Sequence, residues 1–146
     1  MKNFILSGIL FAAASASCHA DELMLTPSQE KGRTSQQYAI DFVTAGEAVA
    51  FQFNIILPKG VDAKQVNLES CLAELPKSHN GQCSVSNGKI IGLVANDTNT
   101  PFEAGIIPVG KISINSKSRF NSLKIEKFLV SDKEARPIQA SAEFVN

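Results

Sequence analysis

Alternating apolar and polar residues dominate this sequence, and the alternation predicts β-strands rather than helices. The clearest stretch covers residues 49–57, where every second side chain is large and apolar. A period of two places such side chains on one face of a strand. An apolar face of this size needs a second layer to cover it, so the pattern predicts one sheet packed on another. The apolar positions of the stretch are Val49, Phe51, Phe53, Ile55 and Leu57.

Similar short stretches recur along the chain and are separated by turn signals. Asn-Gly pairs at 80–81 and 87–88 are typical of hairpin turns. The alternation changes parity between Val109 and Ile112, which predicts a β-bulge at Gly110. The fold class predicted is all-β, an antiparallel β-sandwich of about nine strands with jelly-roll or immunoglobulin-like character. Predicted strands span residues 38–43, 49–57, 66–68, 83–85, 89–95, 106–115, 123–130 and 137–145.

The first residues follow a different pattern, that of a secretory signal peptide. Lys2 supplies a positive charge, residues 4–14 form an apolar run, and small residues follow. The run is too short to cross a bilayer comfortably, which takes about 20 residues. A retained membrane anchor is therefore disfavoured. The predicted organisation is a signal peptide over residues 1–20, a polar N-terminal arm over 21–37 and a sandwich domain over 38–146.

Two alternatives concern the processing of this segment. Cleavage after Ala20 is preferred, and cleavage after Ala16 stays open because Ala14 and Ala16 form a small-residue pair. Lipoprotein processing at Cys18 is disfavoured, since Ser15 stands where a lipoprotein signal usually has an aliphatic residue. The predicted location is secreted or periplasmic, in a bacterial envelope, with no membrane span after cleavage.

The cysteine count agrees with export. Removal of Cys18 with the signal leaves Cys71 and Cys83, an even pair, as expected in an oxidising compartment. We predict that these two cysteines form a disulfide, with two free buried thiols as the alternative. The bridge would stabilise the fold by about 3 kcal/mol in the chain-entropy model. A metal site is disfavoured because His79, between the cysteines, has no evident fourth ligand.

Composition and charge narrow the function classes. A hydrophobic fraction of 44% and a charged fraction of 19% are ordinary for a globular protein, so the chain can fill a core. Fourteen basic residues balance fourteen acidic ones. Nucleic-acid binding needs clustered Lys and Arg to displace phosphate counterions, so the balance argues against a nucleic-acid partner.

Several segments resemble those of cohesin-type domains, in the same order. Residues 48–61 resemble an early strand that ends in Leu-Pro and a small turn, and 87–89 are similar to the middle hairpin. Residues 101–114 and 123–132 resemble two later strands of that family. The resemblance covers roughly residues 38–144. It implies a jelly-roll sandwich of the cohesin-like, carbohydrate-binding-module-like superfamily, with a role in non-covalent recognition.

Catalytic and metal-binding constellations are sparse. His79 lies in a predicted turn between the two cysteines, and a solvated turn residue is favoured over a catalytic base. No zinc-protease, nucleophile-elbow or phosphate-loop motif occurs. Residues 96–100 offer oxygen ligands, but an Asx-rich turn is favoured over a calcium loop. We predict no enzyme activity, no cofactor and no metal. Carboxylates considered for a glycosidase pair are Asp41, Glu47, Glu69, Glu74 and Glu103.

Three binding functions remain. The first is protein recognition through the polar side of the 49–57 strand, where Gln52, Asn54 and Ile56 form the candidate binding face, although ordinary solvated surface is the alternative. The second is glycan binding, for which Phe102 and Phe120 are the candidates for exposed aromatic rings, with the rim of the core as the favoured alternative. The third is a structural subunit that assembles by pairing of edge strands. Protein recognition is preferred, with the partner unknown.

Overall fold

Two five-stranded sheets face each other in the computed structural model, which describes residues 20–28 and 34–145. The first sheet has the strand order β10-β1-β2-β7-β4, and the second has the order β5-β6-β3-β8-β9. The first comprises β1 (Asp21–Ser28), β2 (Ser35–Thr44), β4 (Val66–Asn67), β7 (Gly105–Asn115) and β10 (Ala140–Phe144). The second comprises β3 (Ala50–Ile56), β5 (Asn80–Ser86), β6 (Lys89–Ala95), β8 (Lys124–Ser131) and β9 (Pro137–Ile138).

The all-β sandwich is confirmed, with ten strands where about nine were predicted. Neighbouring strands pair antiparallel except β1 and β10, which are parallel. One short 3₁₀ turn, Ala63–Gln65, follows β3, and Asp62 caps its backbone. Within the described residues, no helix is long and apolar enough to cross a membrane. The predicted apolar signal run and Cys18 lie outside the described residues.

Strand β1 lies where the sequence suggested a polar arm. Leu23 and Leu25 are fully buried, while Glu22 and Met24 are partly exposed, so burial alternates here as in the other strands. The Asp21 carboxylate is also buried and accepts hydrogen bonds from the Thr44 hydroxyl and the Ala45 amide. The sandwich therefore includes residues 21–28, and β2 begins at Ser35. The sequence signal of β1 was weak because its large apolar residues, Leu23, Met24 and Leu25, are consecutive and do not alternate with polar ones.

The predicted last strand, residues 137–145, is divided between the two sheets. Strand β9 pairs with β8 in the second sheet, and β10 pairs with β1 in the first. Gln139 lies between them, at the crossing. Alternation along the chain shows which side chains are buried, but it does not show which sheet a strand joins.

Aromatic rings from both sheets fill the space between them. Phe42 of β2 packs against Phe51 of β3, with ring centroids 4.5 Å apart. It also meets Phe128 of β8 and Phe102, which precedes β7. Edge-to-face and tilted contacts of this kind are the geometry that aromatic quadrupoles favour. The alternation predicted for residues 49–57 is confirmed, since all five of its apolar side chains are buried.

A disulfide and a bulge attach the long β4–β5 connection to the sandwich. Cys71 is bonded to Cys83 of β5, as predicted from cysteine parity. The pairing of β2 with β7 shifts register opposite Val109, beside Gly110, as the parity change predicted. A side chain on Gly110 would lie 2.2 Å from the Ser70 carbonyl oxygen, so glycine is required for this close approach.

Candidate functional site

The candidate site is the solvent-facing side of the second sheet, called here the outer face. Phe51, Phe53 and Ile55 of β3 point into the core, so the residues between them point outward. Strand register places outward residues of β5, β6 and β8 in rows beside them. The outer face comprises Gln82, Ser84 and Ser86 of β5, Lys89, Ile91 and Leu93 of β6, Gln52, Asn54 and Ile56 of β3, and Lys124, Lys127 and Leu129 of β8.

Two exposed leucines lie on either side of Gln52 in one row of the outer face. Gln52 pairs directly with Leu93 on one side and with Leu129 on the other. These leucines are 53% and 60% exposed, respectively. Among the described residues, Ile106 on the first sheet is the other large apolar side chain with comparable exposure, at 66%. Exposed apolar side chains grouped on one face and rimmed by polar groups are typical of an interaction surface.

Asn54 is the next outward residue of β3 after Gln52, and its side chain is only 8% exposed. Its Oδ1 is buried without a hydrogen-bond partner among the described residues. Its cross-strand neighbours are Ile91 and Lys127. An unpaired buried carbonyl oxygen costs roughly 1–3 kcal/mol, so such groups in native structures call for an explanation. A donor brought by a bound molecule would remove this cost if the side chains above Asn54 moved aside.

A charged cluster occupies the end of the outer face next to the Asn87-Gly88 turn, called here the hairpin end. The Lys89 ammonium lies 2.6 Å from the Glu126 carboxylate. This hydrogen bond and charge, with the charges of Lys124 and Lys127, hold the pKa of Glu126 below its usual value, although burial opposes the shift. Positive left-handed φ angles at Asn87 and Gly88 are those of the tight turn predicted from the sequence.

The solvent-facing side of the first sheet is more polar. A shallow cleft of about 140 Å³ opens there, between β2, β7 and the chain after β4. Nearby, burial and the charge of Glu74 raise the pKa of Asp41, while the Lys111 ammonium lies 3.8 Å from Glu74. Of the five carboxylates considered for catalysis, Asp41 and Glu74 are thus close enough to interact. The cleft is lined by Gln37, Asn67, Glu69, Ser70, Lys111, Ile112 and Ser113.

His79 is a buried structural residue, which corrects the expectation of a solvated turn side chain. Its ring stacks on Phe102 with centroids 3.6 Å apart. Its Nδ1 lies 2.9 Å from the Ser78 hydroxyl, and its Nε2 lies 3.3 Å from the Asn96 amide nitrogen. Burial lowers the pKa of His79, while hydrogen bonds with the backbone of Val49 and Thr100 oppose the shift. The Phe102 ring excludes water on one side, which the sequence did not reveal.

The loop that follows β6 uses its oxygen atoms internally. Asn96 Oδ1 accepts hydrogen bonds from the backbone amides of Thr98 and Thr100, and its Nδ2 donates to the Thr100 carbonyl. This is the Asx-rich turn favoured from the sequence. No group of three or more metal-ligating side chains occurs within the described residues.

The two phenylalanines considered for glycan binding belong to the core or its rim. Phe102 is buried and Phe120 is partly buried against the core. Tyr38 is buried in β2. Flat, exposed rings that could stack on a sugar are therefore missing from the described part of the chain.

Sequence reasoning identified one strand of the outer face and missed its neighbours. It named Gln52, Asn54 and Ile56, and the structure brings all three together on the outward side of β3. It did not name Leu93 or Leu129, because their row depends on the pairing of β6 and β8 with β3. An exposed leucine in a strand is ordinary by itself.

Comparison with known proteins bears on the fold. No protein-family model and no curated protein matches the sequence. Among solved structures, a non-cellulosomal cohesin from Archaeoglobus fulgidus superposes with a TM-score of 0.58 at 12% identity, covering 88% of this chain and 93% of that one. The fold is that of a cohesin-type domain. The resemblance noted in the sequence is thus confirmed at the level of architecture.

Two further cohesins agree with this architecture. The type II cohesin A11 from Bacteroides cellulosolvens gives a TM-score of 0.59 at 8% identity, over 84% of this chain and 95% of that one. A cohesin–dockerin complex from Clostridium thermocellum gives 0.57 at 12% identity, over 86% and 90%. At such identities the likeness is one of architecture alone.

Proposed function

We propose that this chain is an exported, non-enzymatic module that binds a partner protein through its outer face. The observation that carries the proposal is the row of Leu93, Gln52 and Leu129 on the solvent-facing side of the second sheet. Buried apolar anchors with a polar surround are the usual energetic centre of a protein interface.

The unpaired oxygen of Asn54 also supports a binding function of the outer face. It lies under the outer face, next to the leucine row, where a partner donor would satisfy it. A known complex also supports the proposal, because one of the similar cohesin structures contains a bound dockerin protein. The partner of this chain need not be a dockerin, since the likeness is one of fold.

Export is supported by two independent features. The disulfide between Cys71 and Cys83 suits an oxidising compartment. The N-terminal residues have the charge, apolar run and small residues of a secretory signal. We therefore propose a secreted or periplasmic location, with cleavage after Ala20, in the bacterial envelope.

The test is a pull-down from the envelope and secretome of the producing cell, using the exported protein with its disulfide intact. The captured protein is identified, purified and titrated against wild type and a Leu93→Asp/Leu129→Asp variant. Charges in the leucine row should weaken binding at least 30-fold, since anchor residues are worth about 2 kcal/mol or more.

Ile106→Asp is the matched control, because Ile106 is at least as exposed but lies on the other sheet. It should bind like wild type. An equal loss of binding affinity in both variants, or no loss in either, would contradict the proposal that the outer face is the binding site. A soluble-glycan panel run in parallel addresses the alternative of a carbohydrate-binding module, and saturable glycan binding without a protein partner would replace the present proposal.

A further inference from the structure

Positive charge is concentrated on one part of the outer face. Lys124 and Lys127 of β8 and Lys89 of β6 surround the single carboxylate of Glu126. Both β8 lysines are exposed, and Lys89 remains partly exposed beside Glu126. Three ammonium groups around one carboxylate leave an excess of positive charge. According to the strand register, no other outward residue of this sheet is acidic, so the excess is not neutralised there.

The cluster lies at one end of the strands, and the leucine row lies nearer the other. Ile56 pairs with Lys89 and Lys124, and Lys127 pairs with Asn54. The next outward residue of β3 is Gln52, between the two leucines. Along the strand direction, the outer face therefore changes from basic to apolar within the length of β3.

The charged residues of the loops are distributed between the two ends of the sandwich in the same way. At the hairpin end, Lys59, Asp62 and Lys64 follow β3, while Lys117 and Arg119 precede β8, so positive charges outnumber the one negative charge. At the opposite end, the exposed loop charges are those of Glu47, Asp97 and Glu103 against Lys77 and Lys133, and Arg136 is paired with Asp132 and Glu134, which leaves a net negative charge. A chain whose formal charge is zero thus has a basic end and a more acidic end. Such a distribution orients charged molecules during their approach.

We infer that the partner of the outer face is an acidic polypeptide, with carboxylates against Lys89, Lys124 and Lys127 and apolar side chains against Leu93 and Leu129. The inference rests on the proposed function and names the chemistry of the partner. A polypeptide is favoured over an anionic glycan because only a polypeptide supplies apolar side chains and carboxylates a few residues apart. The lysines lie at one end of the site, so they also set the partner's direction along the strands.

The experiment uses ¹⁵N-labelled protein with its disulfide intact and three synthetic helical peptides. All three present the same leucine stripe, and they differ only in a flanking segment of Glu, Gln or Lys. We expect the Glu peptide to shift amide resonances of β3, β6 and β8 at concentrations at least ten-fold lower than the Lys peptide. The preference should shrink as salt rises from 50 to 500 mM, because exposed charges are screened.

A charge-reversed variant and a matched control locate the effect. Lys124→Glu/Lys127→Glu should reverse the preference in favour of the Lys peptide. Lys77→Glu/Lys133→Glu makes the same change in net charge in exposed loops outside the strands of the outer face, and it should keep the wild-type preference. Thermal unfolding checks that both variants are folded.

The possible outcomes separate the charge inference from the proposed function. Equal response to all three peptides, or a preference for Lys, would overturn the acidic partner and leave the outer face as a protein site. Leucine-free polyglutamate and polygalacturonate serve as further probes. If either shifts the amide resonances as strongly as the Glu peptide does, the inference is overturned in favour of a general anion site. Failure of every peptide to shift outer-face resonances at millimolar concentration would overturn both proposals.

Discussion

At the scale of single residues, His79 connects several segments at the end of the sandwich opposite the hairpin end. It stacks on Phe102, contacts Asn96 at the end of β6, and precedes β5. Asn96 in turn organises the loop up to Thr100. Burial makes the neutral imidazole the preferred form in the folded protein, so a proton added to His79 opposes this packing.

The predicted consequence is a loss of stability on mild acidification. His79 takes up a proton near pH 6.5 in the unfolded chain and at a lower pH in the folded protein. Between these values the unfolded state binds more protons, so the free energy of unfolding falls as pH falls below about 6.5. Melting temperatures measured from pH 7.5 to pH 5 should fall, and less steeply in His79→Gln.

The comparison with His79→Gln isolates this residue. Burial raises the pKa values of Glu22 and Asp41, and these carboxyls also affect stability at acidic pH. They are present in both proteins, so their effect cancels in the difference. Parallel pH profiles for wild type and variant would show that His79 does not control this transition.

Asn54 illustrates a conflict between folding and recognition within one residue. Its neighbours on the sheet are largely apolar or aliphatic, and a β-branched apolar residue would fit the strand better. The unpaired Oδ1 makes asparagine costly in the free protein. A cost of this kind is expected at functional sites, where local rules for stability are broken.

At the scale of elements, the disulfide attaches an edge strand to the core. Strand β5 pairs with β6 on one side only, and its residues are mostly exposed. Cys83 of β5 is bonded to Cys71, which is buried and whose loop is hydrogen-bonded to β7 through Lys111 and Ser70. The bridge therefore joins the second sheet to the first across the side of the sandwich.

Removal of the bridge should lower stability and leave the fold intact. The cysteines are separated by 12 positions, and the chain-entropy model assigns about 3 kcal/mol to a loop of this length. Urea unfolding of Cys71→Ala/Cys83→Ala, compared with wild type, measures the loss. Wild type treated with a reductant should lose a similar amount. A loss below about 1 kcal/mol would show that the loop is already restricted in the unfolded chain.

Sequence patterns predicted individual strands well where apolar side chains were large. Residues 49–57 were found because five bulky apolar groups mark one side of the strand, and residues 89–95 because four bulky apolar groups form a short run. Strand β1 was missed because Leu23 and Leu25 alone mark its buried apolar side, and Met24 between them hides the alternation. The division of the last strand at Gln139 was also missed, since the pairing partner of each half is distant in sequence.

At the scale of the whole molecule, one aromatic core joins both sheets. Phe42 comes from the first sheet, and Phe51 and Phe128 come from the second. Because each sheet buries its apolar face only against the other, neither has a separate core. The described domain should therefore unfold in a single cooperative step.

Truncation of Phe42 tests this shared core. Phe42→Ala should destabilise the whole domain by about 3–5 kcal/mol, as is typical of large-to-small changes in a packed core. Phe120→Ala, at the half-buried rim, should cost less than half as much. Calorimetry and far-UV circular dichroism should report unfolding transitions that coincide for each protein. Two separated transitions in Phe42→Ala would contradict a single core.

The sequence by itself determined the fold class, the disulfide and one strand of the candidate site. Each depends on local information: the period of two, the turn residues and cysteine parity are properties of neighbouring positions. The resemblance to cohesin-type domains likewise followed from strand endings and turns in the right order.

Only the tertiary structure decided which side chains share the outer face. Leu93 and Leu129 lie beside Gln52 because β6 and β8 both pair with β3, although they are 41 and 77 residues away from it along the chain. The same pairing gathers the lysines around Glu126 and buries Asn54. A pairing between distant strands is selected by the packing of the whole core, and a local pattern does not contain that information.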